Sequence, residues 1–157
     1  RLMLIEGDKR GQFLRPLYSD ELFSVPKNVY IIGTMNTADR SLAIIDYALR
    51  RRFAFYEMNP ALDFPGFREK LEASGSEKLI RLADSVKELN RDICGDDTLG
   101  KGFCIGHSYF CPQGPADDRW VESIVKYELI PLLEEYWFDT PSKVRQWSER
   151  LKGAVHD

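Results

Sequence analysis

Two polar clusters in this sequence are made of residue types that handle water and phosphate. The first, Asn36-Thr37-Ala38-Asp39-Arg40, follows directly on the apolar run Val29-Tyr30-Ile31-Ile32-Gly33-Thr34-Met35. Polar residues at the carboxyl end of a buried parallel strand lie in the crevice where open α/β sheets bind ligands, which makes Asn36, Thr37 and Asp39 candidates. An amide there can orient a water molecule, because it offers a donor and an acceptor without titrating. The same residue types also suit a turn leading into a helix, where they satisfy orphan backbone groups. The second cluster is Arg50-Arg51-Arg52. A guanidinium binds phosphate oxygens bidentately and stays charged, so arginine suits the charge on a transferring phosphoryl group. Three consecutive side chains point in about three directions around a helix, so at least one should project from the domain. Cations at a helix C-terminus also complement its dipole, and a solvated basic face is the plainer alternative.

Other segments only imitate chemistry. Gly95-Asp96-Asp97-Thr98-Leu99-Gly100-Lys101 fits G-x-x-x-x-G-K. However, Gly102 stands where a Mg²⁺-binding Ser or Thr belongs, two carboxylates would repel phosphate, and no strand precedes it. Ile44-Ile45-Asp46 mimics the acidic end of a nucleotide-binding strand but falls within a helical pattern. Cys104 to Cys111 places two thiols and His107 within eight positions, in no zinc-ligand spacing and with no fourth ligand close by. No metal site is expected there. His107, beside Gly106 and Tyr109-Phe110, suits packing of a turn, with a nucleotide-facing role as the alternative.

Positioning these residues requires an α/β unit. Val29 to Met35 is β-branched, aromatic and almost continuously apolar, which predicts a strand buried on both faces of a parallel sheet. Ser41 is a suitable N-cap for a helix from Leu42 to about Arg50, and Phe53 to Met58 predicts a second strand closed by Pro60. Before them, Arg1 to Glu6 reads as the last turns of a helix with no initiator methionine, as in a piece of a longer protein, and a short hairpin or loop follows Gly11. Beyond Asp63 the pattern is helical. Phe64 to Leu71 forms one helix, and Leu79, Ile80, Leu82, Ala83, Val86, Leu89 and Ile93 share one face of a longer one. A third runs from about Arg119 to Tyr136, kinked or divided by Pro131. Thr140 and Pro141 open a last helix to about Leu151, leaving His156 in a frayed tail. The α/β part should give way to the all-helical part near Asn59 and Pro60.

Composition narrows the function classes. The 157 residues are 43% hydrophobic and 30% charged, which fits one domain or two small subdomains and excludes a disordered tail. A net charge of -3 gives no bulk sign of a nucleic-acid binder, so any such contact must be local. No apolar run approaches the roughly 18 to 20 residues of a membrane span, and no signal pattern opens the chain. Three cysteines, an odd number, are expected as free thiols in a cytoplasmic protein with no membrane contact.

Taken together, Asn28 to Gly33, Met35 to Ala43 and Asp46 to Phe53 resemble the most distinctive segment of the McrB family, GTP-dependent AAA+ motors of modification-dependent (5-methylcytosine) DNA restriction. Leu99 to Phe103, Ile105 to Cys111 and Pro131 to Tyr136 are similar to the family as well, so the resemblance runs over essentially the whole chain. It implies an α/β fragment of an AAA+ core over residues 1–59, with parallel-sheet strands and the arginine-finger helix, followed by an all-α lid subdomain over 60–157. It implies that Asn36 is the sensor-1 residue positioning the attacking water, with Thr37, Asp39 and Arg40 in the signature loop. Arg51 becomes the arginine finger inserted into a neighbouring subunit's nucleotide site, and Arg52 its companion. His107, Ser108 and Tyr109 become lid residues that could face nucleotide. The implied cofactors are GTP and Mg²⁺ in the intact protein. None is expected on this chain alone, which lacks the P-loop and Walker B segments and should be inactive by itself. The implied partners are further copies in a ring, a hexamer, a McrC-type nuclease subunit, and DNA through the intact complex. An AAA+ ATPase of another branch, acting as a remodelling chaperone, and a non-enzymatic interaction module are the alternatives.

Overall fold

A computed structural model of the chain describes residues 6–16, 21–35 and 50–156. It divides into two compact units, Arg1–Glu57 and Met58–Asp157. The expected helices over Arg1 to Glu6 and Leu42 to Arg50 lie essentially outside the described residues.

In the first unit a 3₁₀ turn spans Gly7–Lys9. Gly11 follows at φ 81°, a left-handed conformation that glycine adopts without a Cβ penalty. Its N–H donates to Val25 O at 2.8 Å, and Leu14 and Phe23 exchange N–H···O bonds of 2.8 and 2.9 Å as an antiparallel bridge. The expected hairpin is thus a single bridge. The two expected strands are not formed among the described residues: neither 29–35 nor 53–58 pairs with a neighbour, and Tyr30 and Ile32 are 90% and 93% exposed. The physical reason is that an apolar run buried on both faces needs hydrogen-bonded strands beside it and layers above and below it. Propensity alone supplies neither.

The second unit is helical. Helix α1 (Pro65–Ala73) starts with proline at its first position, where the missing N–H costs no hydrogen bond. Gly75, at φ 68°, turns the chain, and Ser76 caps α2 (Glu77–Gly95) by accepting from the Leu79 N–H at 3.2 Å. Leu79, Leu82, Ala83, Val86, Leu89 and Ile93 form its buried stripe, at roughly 1.5 to 3 kcal/mol for each large side chain. Ile80, expected on that face, is only partly buried at its edge.

The next helical stretch is continuous rather than divided. It comprises α3 (Asp118–Ser123), a π-helical segment Ile124–Leu129, and α4 (Ile130–Tyr136). Pro131 lacks an N–H, and its ring would strike the carbonyl four residues earlier in a regular α-helix. The wider turn just before it, in which the Ile130 N–H donates to Val125 O, absorbs that conflict without a break. Helix α5 (Pro141–Val155) runs past the expected end, because Leu151, Ala154 and Val155 are all buried. His156 is therefore not a frayed tail: its N–H donates to Lys152 O at 3.0 Å.

No polar or charged residue described is buried in this core, so its electrostatics lie at the rim. Arg68 joins α1 to α2 through Asp84 at 2.7 Å, and Lys78 joins α2 to α3 through Asp118 at 2.8 Å. The Trp147 indole N–H reaches Asp92 at 3.0 Å, tying α5 to α2. Asn90 accepts from the Ile105 N–H at 2.7 Å and donates to Ile105 O at 2.9 Å, so one amide satisfies both backbone groups of a buried loop residue.

Asp96, just beyond α2, joins three segments. Its carboxylate accepts from the Thr98 hydroxyl at 2.6 Å, the Lys143 ammonium at 2.9 Å, the Trp137 indole N–H at 2.8 Å and the Thr98 N–H at 2.9 Å. These donors hold its carboxyl well below the ordinary 3.8, led by the Thr98 hydroxyl and then Lys143 and Trp137, against a small opposing effect of burial. A depressed folded-state value stabilises the fold fully above the unfolded value of about 4, and the contribution is lost as pH falls through the folded value. The wild-type chain should therefore exceed Asp96→Asn in stability at neutral pH, and the gap should close as the medium is acidified below about pH 4. Urea midpoints at a series of pH values measure this, and a gap independent of pH would contradict it.

Candidate functional site

The first unit sorts the three arginines. The Arg50 guanidinium lies over the Phe55 ring, 5.7 Å from its centroid, as a cation on an aromatic face. Arg52 Nε donates to Glu6 Oε1 at 2.6 Å, a pair with both side chains partly buried. Arg51 is exposed and has no partner among the described residues. Among the described residues one guanidinium of the cluster thus lacks an internal partner, while its neighbours are engaged within their own unit. Asn36, Thr37, Asp39 and Arg40 lie outside the described residues.

In the second unit, His107, Ser108 and Tyr109 form a 3₁₀ turn, His107–Phe110. His107 Nδ1 accepts from the Ala61 N–H at 3.2 Å. Its ring meets Phe67 edge-on, with centroids 5.6 Å apart. His107 thus ties the stretch just before α1 to Phe67 of α1, a packing contact within this unit. Ser108 is exposed and Tyr109 half-buried. Both line an open hollow of about 380 Å³ whose wall includes Trp120 and Glu128, and His107 does not line it.

The loop that imitates a phosphate cradle is occupied by its own side chains. Asp96 fills it as an acceptor for Trp137 and Lys143, and Gly100, at φ 82°, donates its N–H back to Ile93 O at 3.2 Å. An acceptor at the loop's centre repels an anion, so these residues do not fit a nucleotide's phosphates. Among the described residues no group of three or more His, Cys, Asp or Glu side chains could hold a metal ion, and no helix is long and apolar enough to cross a membrane.

Sequence reasoning missed Glu6 as the partner of Arg52, Asp96 as a junction, and the approach of Cys94 to Cys104 at 3.4 Å. Only the last had a local signal. A helix with a cysteine in its last turn and a short loop returning through Gly100 allow a second cysteine to come back beside the first.

Residues 81–145 match the family described as McrB, alpha-helical lid domain. The match lies within the second unit and covers most of α2, all of α3 and α4, and the start of α5. The chain is 50% identical to the type IV methyl-directed restriction enzyme EcoKMcrB subunit of Escherichia coli (strain K12), over 97% of the chain and 36% of that protein. It is 27% identical to component YdiS of the type II restriction enzyme BsuMI of Bacillus subtilis (strain 168), over 74% of the chain and 33% of that protein. The chain thus spans about a third of the length of these curated relatives. Half of its residues agree with the first of them over nearly its whole length, including the helical unit that carries the lid match, and on that ground the chain belongs to the McrB family.

Proposed function

We propose that this chain is part of the GTP-hydrolysing AAA+ motor of a modification-dependent DNA restriction system, contributing a sensor-1 loop, an arginine finger that acts in trans, and the lid. The observation that carries this reading is the 50% identity to a methyl-directed restriction subunit over 97% of the chain. Arg51, exposed and without a partner among the described residues, supports it, because a group that acts on a neighbour must be free of its own subunit. In this reading residues 29–35 and 53–58 find their sheet neighbours in the intact protein, as the α/β core of the motor, and Asn36 stands at the end of the first strand. GTP with Mg²⁺ would supply the phosphoryl group to be transferred to water; Asn36 orients that water and Arg51 stabilises charge at the adjacent subunit. The working assembly is a cytoplasmic ring, a hexamer, that meets DNA and a McrC-type nuclease subunit.

Two measurements on the intact protein test the proposal. Competition between GTP and ATP in a hydrolysis assay separates a GTPase from an ATPase of another AAA+ branch. In the same assay Asn36→Ala should slow turnover about 10²-fold while nucleotide affinity stays near wild type, since a misplaced water affects only the approach to the transition state. Equal losses in affinity and turnover would make Asn36 a support of its turn rather than of the water.

A further inference from the structure

The sulfurs of Cys94 and Cys104 lie 3.4 Å apart, and both residues are free thiols. Cys94 is exposed on the last turn of α2, whereas Cys104 is partly buried, its thiol directed at Asn90 O at 3.6 Å. The contact is held from several directions. Asn90 clamps both backbone groups of Ile105, next to Cys104, and the Gly100 N–H bonds back to Ile93 O, next to Cys94. The Cys104 N–H donates to Lys101 O at 3.2 Å, closing the turn that delivers it. Cys111, the third cysteine, is exposed and directs its thiol to His107 O, away from this pair.

We propose that Cys94 and Cys104 are an oxidant-responsive pair that closes into an intramolecular disulfide, bolting the Asp96 loop of the lid to the end of α2. With a peroxide as oxidant, the exposed Cys94 sulfur takes one oxygen to become a sulfenic acid, and the first water leaves. The Cys104 sulfur then attacks the Cys94 sulfur and the S–S bond forms. The S–O bond breaks, and the departing hydroxide takes the Cys104 proton as the second water. Two thiols are oxidised by two electrons and one peroxide is reduced.

Burial first, and the neighbouring Cys94 sulfur second, push the Cys104 thiol from 9.0 up to about 12. That lowers its thiolate fraction at neutral pH by about 10³, but groups held in contact react with effective molarities of about 10⁵ to 10⁸ M, so proximity prevails. The same elevation makes Cys104 a poor leaving group. A reducing thiol reaches the exposed Cys94 sulfur more easily, and attack there must expel Cys104, so the bond once formed should be reduced slowly.

The test treats the full chain with hydrogen peroxide, blocks remaining thiols by alkylation and digests with trypsin. Cleavage at Lys101 puts Cys94 in peptide 92–101 and Cys104 in peptide 102–119. The expected result is one cross-linked pair of these peptides, with two hydrogens lost, formed equally in wild type and Cys111→Ser and absent from Cys94→Ser and Cys104→Ser. The oxidised chain should melt several degrees higher than the reduced chain, because closing the loop restricts the unfolded state, and Cys94→Ser should show no such shift. Three thiols still open to alkylation, a cross-link that needs Cys111, a dimer joined between chains, or Cys94 carried to sulfinic acid without a cross-link would each overturn the proposal. Because the readout needs no nucleotide, it stands or falls independently of the motor reading.

Discussion

Arg51→Ala in the intact, assembled protein should leave nucleotide affinity near wild type and reduce hydrolysis by about 10³- to 10⁵-fold, the range measured for arginines that act on a neighbour's phosphoryl group. The expectation starts from the sorting of the arginine cluster: Arg50 is engaged with Phe55 and Arg52 with Glu6, so among the described residues Arg51 is the one of the three without an internal partner. The defect should depend on assembly. Mixing Arg51→Ala subunits with subunits defective in their own phosphate-binding loop creates some interfaces with an intact arginine facing an intact site, and partial activity should return there. An arginine that worked within its own subunit would give no rescue, since each subunit would carry one fatal defect. If mixed rings form and remain as inactive as either parent, the trans role is wrong and Arg51 is part of a solvated helix end. Arg52→Ala provides a contrast, because its pairing with Glu6 predicts a loss of local stability as well.

Trp137→Ala should cost the helical unit about 3 to 5 kcal/mol, the range for removing a large aromatic from a packed core. Trp137 is 2% exposed, its indole N–H donates to Asp96 at 2.8 Å, and the Lys143 ammonium sits 4.4 Å from its ring centroid. One substitution therefore opens a cavity, removes a donor from a carboxylate and takes away the aromatic face on which a cation rests. Trp137→Phe keeps most of the volume and loses the N–H, so it should cost much less, about 1 to 2 kcal/mol. Urea unfolding followed by far-ultraviolet circular dichroism measures both. A Trp137→Ala loss below about 1 kcal/mol would mean that the junction of α2, α4 and α5 contributes little to folding.

The helical unit was largely legible because its information is local. The stripe on α2 repeats every three or four residues, Ser76 and Pro141 mark helix starts, and each signal acts within a turn or two. The Asp96 junction was not legible, since its donors Trp137 and Lys143 lie 41 and 47 residues away and nothing near Asp96 announces them. Sequence reasoning saw that Gly95 to Lys101 could not hold phosphate but not what the loop holds instead. The apolar runs at 29–35 and 53–58 have the propensity of strands, yet a sheet is a property of neighbours, and the described residues supply none. Of the candidate site, the arginines could be recognised as a cluster by composition. Which of them is free depended on Phe55 and on Glu6, 46 residues from Arg52.

The π-helical segment Ile124–Leu129 has a consequence for how this lid can change by descent. Val125, Leu129, Leu133 and Trp137 recur every four residues, a spacing wider than the 3.6 of an α-helix, so the buried face stays in phase only because the wider turn absorbs the excess. Loss of a single residue within that segment would return it to regular α turns and set the Pro131 ring against the carbonyl four residues earlier. Everything beyond would keep its facing, since the wide turn holds one residue more than regular turns need for the same rotation. A lineage that drops a residue here would therefore keep Leu133 in the core and Trp137 beside Asp96 but would have to replace Pro131, so the proline and the wide turn should be gained and lost together.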